Sequence, residues 1–344
     1  MSIWNLIKLK FGRNPVHFGE LGIGMEETSE RVRSDTLFSA CVSTYARLFG
    51  KDAVEKLFQD FQTQPEPPFR LSSTFIYRQV EGKTIYYLPR PFKRPINYHN
   101  NDWGFDKEYK KLNYLPLKIW QRWYQGEGFT DGDRLEIVAK AKKEPSQHDL
   151  LEKEGTFDYG KAFESGKIPK IAVDRNTRAT NLYYTGFVQY RENSGLYFLA
   201  QFSNPDSENT FLTVLNLMGE EGIGGERSSG AGQFEVEPSE LTPTWKQVLE
   251  FSGKTYYSLI SLFWENPLPD GCLENASYEL QKRGGWVAAS PSGSQRRRQS
   301  VQMFTEGSVF PVKPKGKLAD VTPDRFNAHK VYRSGISLSL PIKV

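Results

Sequence analysis

The stretch that decides the fold is residues 219–237, GEEGIGGERSSGAGQFEVE, in which a glycine-rich loop runs into a strand. The strand is predicted because Phe234 and Val236 alternate with polar neighbours. Glycine adopts positive φ without steric cost, so a run of glycines can turn several backbone N–H groups toward one point and hold an anion there. The residues of this predicted phosphate-binding loop are Gly222, Gly224, Gly225, Arg227, Ser228, Ser229, Gly230 and Gly232.

Two better-known phosphate loops are excluded by the order of the elements. A nucleotide-binding P-loop needs Gly-Lys-Ser/Thr entering a helix, whereas residues 222–232 contain no lysine and precede a strand. A dinucleotide-binding fingerprint has a strand before its glycines and a helix after them, which is the reverse of the order here. The remaining alternative is a glycine-rich turn that joins two elements and binds nothing.

The loop resembles the glycine-rich loop of the RAMP superfamily, the RNA-binding subunits of CRISPR effector complexes, which reads roughly G-x-G-G-x-x-S-x-G-x-G. Within that superfamily the chain is most similar to the subunit that caps the CRISPR RNA (crRNA) 5′ handle in the type III-A (Csm) complex. The other segments that carry this resemblance are His17-Phe18-Gly19, residues 34–40 (SDTLFSA), residues 173–177 (VDRNT) and residues 331–335 (VYRSG). No family motif matches residues 65–165.

The resemblance implies an α+β fold of two ferredoxin-like (RRM-like) βαββαβ domains with insertions. The first would span residues 1–165, with a basic and aromatic insertion at about 65–165. The second would span residues 166–344 and carry the glycine-rich loop at 219–232.

The implied function is that of a non-catalytic subunit that binds crRNA. It would cap the repeat-derived 5′ handle and bridge the large polymerase-like subunit to a backbone RAMP subunit, with no cofactor and no metal. Two alternatives stay open: a repeat-processing endoribonuclease of the same superfamily that uses His17, and the equivalent subunit of a type III-B complex.

Composition favours a protein without a polybasic tail or a membrane anchor. The net charge of the 344 residues is +4, so nucleic-acid affinity must come from local basic patches. Cys41 and Cys272 have neither metal-ligand spacing nor a disulfide framework, which suits a reducing cytoplasm. No apolar run reaches membrane-spanning length, and the first ten residues are too mixed for a signal peptide.

Periodicity predicts a strand followed by helices at the N-terminus. Residues 2–11 indicate a strand, and a helix begins at Ser34 or Asp35, both good N-cap residues. Gly50 ends that helix, and a second one covers about residues 52–61.

The rest of the chain is less regular. Residues 70–135 are predicted to be poor in strands, and strands are expected at 182–190 and 195–202. A helix at about 209–219, the glycine-rich loop and its strand then outline half of a second ferredoxin-like unit.

Further RNA contacts are predicted where cations sit in turns or beside the matched segments. Single-stranded RNA is bound by cations on phosphates and by aromatic rings on bases. The candidates are His17, Arg31, Arg33, Arg175, Thr177, Arg178, Arg296, Arg297, Arg298 and Arg333. Tyr98, Trp103 and Tyr109 would stack on bases if the middle segment is exposed. The alternatives are a solubilising arginine loop at 296–298, a turn in which Asp174 pairs with Arg175 or Arg178, and rings that pack on the core.

Catalysis is the competing hypothesis. Metal-free RNA cleavage needs one group to deprotonate the 2′-OH and another to protonate the leaving oxygen. His17, in the loop after the first strand, is the best-placed candidate, and Asp35 is the next. Because helix capping explains Asp35 without chemistry, binding is favoured over cleavage.

Overall fold

The computed structural model describes residues 3–19, 24, 26–98, 103–253, 256–287 and 296–344. Its strands are β1 (Ile3–Lys10), β2 (Phe69–Leu71), β3 (Phe75–Val80), β4 (Lys83–Pro89), β5 (Tyr114–Pro116), β6 (Phe163–Val173), β7 (Thr180–Tyr190), β8 (Ser194–Phe202), β9 (Glu235–Ser239), β10 (Tyr256–Leu259), β11 (Leu280–Arg283), β12 (Val301–Phe304), β13 (Val309–Phe310), β14 (Leu318–Asp320), β15 (Tyr332–Ser334) and β16 (Ser339–Ile342). Its α-helices are α1 (Ser34–Thr63), α2 (Trp103–Lys110), α3 (Leu117–Gln125), α4 (Asp131–Lys142), α5 (Leu150–Lys153), α6 (Pro205–Glu221) and α7 (Pro243–Glu250). Within these residues, no helix is long and apolar enough to cross a membrane.

A seven-stranded antiparallel sheet organises the first two-thirds of the chain. Its strand order is β5-β4-β3-β8-β1-β9, and β2 also pairs with β8. Because α1 lies between β1 and β3 in the chain, and α6 between β8 and β9, these elements form one complete βαββαβ unit. The α+β class and the ferredoxin-like plan of this unit are therefore confirmed.

The first strand forms the centre of this sheet because both of its faces are apolar. Leu6 packs into one hydrophobic cluster, while Ile7 and Leu9 pack into the other, and all three side chains are fully buried. β8 and β9 pair with the two edges of β1. Neither edge of β1 is left open to solvent.

The sheet corrects the predicted boundary between residues 165 and 166. β8 and β9 follow that boundary, yet they pair with β1. The strand, helix and glycine-rich loop that outline half of a second unit instead complete the first one. Local periodicity could not reveal this, because a long insertion between β3 and β8 separates the two halves of the unit in the sequence.

The prediction that residues 70–135 are poor in strands is wrong, because β2, β3, β4 and β5 fall on or within that range. The basic and aromatic side chains there contact each other inside the fold. Tyr109 is 1% exposed and donates or accepts a 3.1 Å hydrogen bond with the Tyr124 hydroxyl. The Arg90 guanidinium lies 4.8 Å from the Tyr109 ring centre, and that of Arg94 lies 4.6 Å from the Tyr98 ring centre. Tyr109 therefore has no face on which a base could stack. His99 and the side chain of Trp103 lie outside the described residues.

The region after β9 consists mainly of short strands. β10 pairs with β13 and β16, and two further pairs join β11 to β12 and β14 to β15. In the described part of this region α7 is the one α-helix, whereas a βαββαβ unit has two. Near the other end of the chain, Gly50 interrupts α1 with φ +81°, which confirms the predicted break.

Candidate nucleic-acid interface

The glycine-rich loop follows α6 and closes on itself. The Ile223 N–H donates to the Gly232 carbonyl at 2.9 Å, and Gly222 ends α6 with φ +83°. Two other loop N–H groups donate to the segment after β1: Gly225 to the His17 carbonyl and Gly232 to the Pro15 carbonyl, both at 2.9 Å. These donors are therefore occupied by the protein's own backbone.

The glycines are needed for this close backbone contact. A Cβ at Gly224, where φ is +96°, would lie 2.4 Å from the His17 carbonyl oxygen. A Cβ at Gly225 would lie 2.8 Å from Cδ2 of the His17 ring, so Gly225→Asp would disturb that ring as well as any bound anion. Gly230 has φ +82° but no atom within 4 Å of its Cβ position. The base of the loop is thus packed against the protein, and its tip is open.

The tip, Arg227–Ser229 and Gly230, is exposed. It is held by Glu226, whose carboxylate binds the Lys170 ammonium of β6. That hydrogen bond lowers the pKa of Glu226 below its usual value. Lys170 therefore ties the β6–β7 hairpin to the loop, a role that the sequence analysis missed because nothing local marks it.

A cleft of ≈ 290 Å³ opens between the loop, the first turns of α1 and the strand region near β11. Thr36, Ser39 and Ser43 form its wall on α1. Among the described residues that line it there are seven arginines and no acidic side chain. These arginines are Arg31, Arg33, Arg47, Arg227, Arg283, Arg298 and Arg333.

One buried carboxylate next to the cleft is Asp35, which is 0% exposed. It accepts hydrogen bonds from Arg283 Nε at 2.9 Å and Nη2 at 3.0 Å, and it also binds Arg333. Burial opposes its ionised form, but the two guanidiniums outweigh burial and lower its pKa to about 2. The predicted capping role is wrong, since Arg33 occupies the N-cap position of α1 and no side chain bonds there.

The second buried carboxylate is Glu306, between β12 and β13. Its two oxygens accept from Arg31 Nη1 and Nη2, each at 3.1 Å, and it also binds Arg33 and the Ser73 hydroxyl. Burial opposes its charge, but Arg31 and Arg33 hold its pKa well below the usual range. Arg31 and Arg33 are predicted RNA contacts, and the structure instead directs both toward Glu306. Arg333 is likewise buried against Asp35.

The cleft retains an excess of positive charge after this pairing. Glu306 and Asp35 pair with four of its arginines, and Glu221 pairs with Arg47. Across the described part of the chain, Arg227 and Arg298 form no ion pair. Seven guanidiniums therefore share three carboxylates, which leaves an anion-binding surface.

The remaining predicted contacts lie outside the cleft. Arg175, Thr177 and Arg178 are exposed at the tip of the β6–β7 hairpin. The Asp174 carboxylate holds that turn by accepting from the N–H groups of Asn176 at 2.9 Å and Thr177 at 2.7 Å. The alternative in which Asp174 pairs with an arginine is therefore wrong.

The three consecutive arginines point to different places. Arg296 Nη1 donates to the carbonyls of Asp324 and Arg325 at 3.2 and 3.1 Å. Arg297 lies 4.9 Å above the Trp286 ring. Arg298 lines the cleft. Because the three side chains have different surroundings, they do not form the solubilising loop that was the alternative to RNA contact.

His17 lies beside the loop but does not line the cleft. Its Nδ1 is 2.8 Å from the Gly186 carbonyl, which fixes the ring against β7. No histidine is found among the described residues that line the cleft.

Comparison with known proteins agrees with this fold. Residues 252–342 match the family described as the CRISPR Csm4 C-terminal domain. Csm4 of Methanocaldococcus jannaschii is 26% identical, and the match covers 94% of each chain. Csm4 of Mycobacterium tuberculosis H37Rv is 27% identical over 96% of this chain and 97% of that one. The chain is therefore similar to Csm4 proteins over almost its whole length.

Solved structures show the same fold across the whole chain. A Csm3–Csm4 subcomplex of the type III-A CRISPR–Cas interference complex matches with a TM-score of 0.64 and 22% identity, covering 99% of this chain and 100% of that one. A Csm1–Csm4 cassette in complex with pppApA matches with a TM-score of 0.57 and 18% identity, covering 100% and 99%. The family match spans Arg283, Glu306 and Arg333, so the C-terminal half of both buried ion clusters lies within it.

Proposed function

We propose that the chain is a non-catalytic crRNA-binding subunit of a type III-A CRISPR interference complex. It caps the repeat-derived 5′ handle and bridges the large polymerase-like subunit to a backbone RAMP subunit. It works in the cytoplasm, where its two buried free cysteines stay reduced.

The observation that carries this proposal is the charge of the cleft. Among the described residues, seven arginines line it, and three carboxylates pair with five of them, so positive charge remains in excess. An RNA strand supplies the missing negative charge through its phosphates, and such contacts position a strand without reading its sequence. One of these arginines, Arg227, belongs to the exposed loop tip, which also carries the hydroxyl groups of Ser228 and Ser229.

The partners are proposed from relatives that share the fold. One relative was solved as a Csm3–Csm4 subcomplex and another as a Csm1–Csm4 cassette. Both match this chain over essentially its whole length. The same two contacts would place this chain between the large subunit and the backbone.

The cleft also lacks what RNA cleavage needs. Its described lining holds no histidine, carboxylate, lysine or tyrosine that could move a proton. Asp35 is ionised but enclosed by two guanidiniums, and His17 is turned toward the Gly186 carbonyl. The endoribonuclease alternative therefore has no acid–base pair at the arginine surface.

The test is to purify the tagged chain from cells that express its neighbouring CRISPR genes and to analyse what comes with it. We expect the large polymerase-like subunit, a backbone subunit and RNAs that share one repeat-derived 5′ end. The purified chain alone should leave repeat RNA intact, with or without divalent metal.

Three outcomes would contradict this function. Recovery of random cellular RNA would remove the handle assignment. Co-purification with a type III-B set of subunits would favour that alternative. Cleavage of repeat RNA at one site, lost in His17→Ala, would establish the endoribonuclease.

A further inference from the structure

Two neighbouring guanidiniums in the cleft each keep an unused donor. Among the described residues, neither Arg298 Nε nor Arg333 Nε has a hydrogen-bond partner, and both atoms are shielded from solvent. A buried donor without a partner costs about 1–3 kcal/mol in a folded protein. Both arginines line the same cleft, where a ligand can supply the missing acceptors.

In the described part of the chain, no carboxylate hydrogen-bonds to Arg298 or to Nε of Arg333. Asp35, the nearby acid, already binds Arg283 and Arg333. The other donors of Arg333 are directed to Asp35 and to the Gly284 carbonyl. Burial, followed by the like charge of Arg333, lowers the pKa of Arg298 to about 10, so it stays protonated at neutral pH. Among the described residues Asp35 is thus the one acid acting on this pair, and it is shared with Arg283.

The backbone beside the pair leaves room for a ligand. The Arg298 backbone N–H donates to the Gly285 carbonyl at 2.9 Å, which holds the segment 296–298 against residues 284–287. A side chain at position 285 would begin 3.9 Å from Arg333 Nη2, and glycine leaves that space empty. Both arginines and both glycines line the same cleft.

We propose that Arg298 and Arg333 together form a binding site for one phosphate of an RNA strand lying in the cleft. An oxyanion between the two guanidiniums would accept from both free Nε–H groups and cancel their mutual repulsion. This inference rests on the proposed RNA-binding function and identifies one phosphate subsite within it. The Arg298 side chain is then a phosphate ligand, whereas the side chains of Arg296 and Arg297 contact Asp324, Arg325 and Trp286.

The test compares Arg298→Gln with Lys282→Gln, which removes the same charge from an exposed position on β11 outside the cleft. The probe is a 3′-labelled twelve-nucleotide RNA copied from the repeat of the same locus, and its affinity is measured by anisotropy at several salt concentrations. Arg298→Gln should weaken binding about tenfold and flatten the slope of log K against log salt by about 0.7, as loss of one phosphate contact does. Lys282→Gln should change binding less than twofold.

A second readout separates binding from a structural role. Without RNA, Arg298→Gln should melt at the same temperature as the parent or higher, because it removes a like charge beside Arg333. Arg298→Lys keeps the charge but loses the planar donor fork, so it should bind RNA with intermediate affinity. A melting temperature lowered by several degrees in both variants would overturn the proposal, since Arg298 would then be structural.

Further outcomes distinguish a free phosphate ion from an RNA phosphate, and a wrong subsite from a wrong proposed function. If inorganic phosphate at a few millimolar stabilises the parent while Arg298→Gln binds RNA normally, the site holds free phosphate and the strand assignment is wrong. If Arg298→Gln binds RNA like the parent while Arg227→Ala binds more weakly, the subsite is wrong and the proposed function stands. If the purified complex contains no handle RNA, the proposed function itself fails.

Discussion

At the scale of single residues, two buried carboxylates decide how the cleft is built. Asp35 and Glu306 each bind two arginines, and the arginines come from distant parts of the chain. A buried ion pair gains little over an apolar contact, but removing one partner leaves an uncompensated charge. These carboxylates therefore fix the position of the cleft walls more than they add net stability.

The first prediction concerns Asp35→Asn. It should lower the free energy of unfolding by about 3–5 kcal/mol, because Arg283 and Arg333 lose their shared counter-charge. Glu221→Gln is the matched control, since its pair with Arg47 is partly exposed to solvent and its loss should cost about 0–1 kcal/mol. Urea unfolding followed by fluorescence measures both. Equal losses in the two variants would contradict this account.

The same carboxylate predicts a pH dependence. The folded-state pKa of Asp35 is about 2, below its ordinary value of 3.8. A lowered folded pKa gives stability that is present above the unfolded value and is lost as pH falls through the folded one. The parent should therefore lose stability more steeply than Asp35→Asn between about pH 4 and pH 2. Parallel curves for the two proteins would exclude Asp35 as the cause.

The sequence singles out Asp35 as a candidate residue, but it does not predict the arginines that Asp35 binds. An aspartate at the start of a helical pattern fits a cap, and near a predicted RNA site it also fits a catalyst. Its true partners, Arg283 and Arg333, lie 248 and 298 residues away. No local pattern joins positions so far apart.

At the scale of elements, the glycine-rich loop shows what periodicity predicts well. The helix predicted at about 209–219 is α6 (Pro205–Glu221), and the strand after the loop is β9. The glycine pattern also indicated positive φ, which Gly222, Gly224, Gly230 and Gly232 have. The partner of the loop base could not be predicted, because a backbone carbonyl and a phosphate oxygen both accept a hydrogen bond from a loop N–H. Either acceptor can approach closely only where the residue has no side chain.

The loop gives a prediction that separates its base from its tip. Gly224→Ala and Gly230→Ala both place an alanine at positive φ, which costs about 1–2 kcal/mol. Gly224→Ala additionally meets the His17 carbonyl oxygen at 2.4 Å, so it should destabilise the protein by about 1–3 kcal/mol more. Thermal and urea unfolding of the two variants test this. A larger loss for Gly230→Ala would mean that the tip, and not the base, is packed.

At the scale of the whole molecule, the order of the strands could not be predicted from the chain alone. Many of the strands and helices are predicted correctly from local patterns. Dividing them into two successive domains at residue 165, however, places the domain boundary inside one sheet. β1 needs two partner strands, and both come from beyond residue 190. A fragment of residues 1–165 should therefore remain unfolded.

That fragment is a direct test of the topology. It keeps β1, α1, β2, β3 and β4 but lacks β8 and β9, so Leu6, Ile7 and Leu9 lose their neighbours. We expect no cooperative thermal transition by circular dichroism, whereas the full chain should show one. A folded fragment with a sharp transition would restore the boundary at residue 165.

The insertion between the two halves of the sheet also affects how the chain is made. Ile3 pairs with Phe202, so β1 emerges from the ribosome about 200 residues before its partner. At synthesis rates of 5–20 residues per second this delay lasts roughly 10–40 s. During that time an apolar strand has two unpaired edges, the condition under which nascent chains associate with one another. The yield of folded protein should then depend on chaperones that shield the N-terminal strand until β8 and β9 have been synthesised.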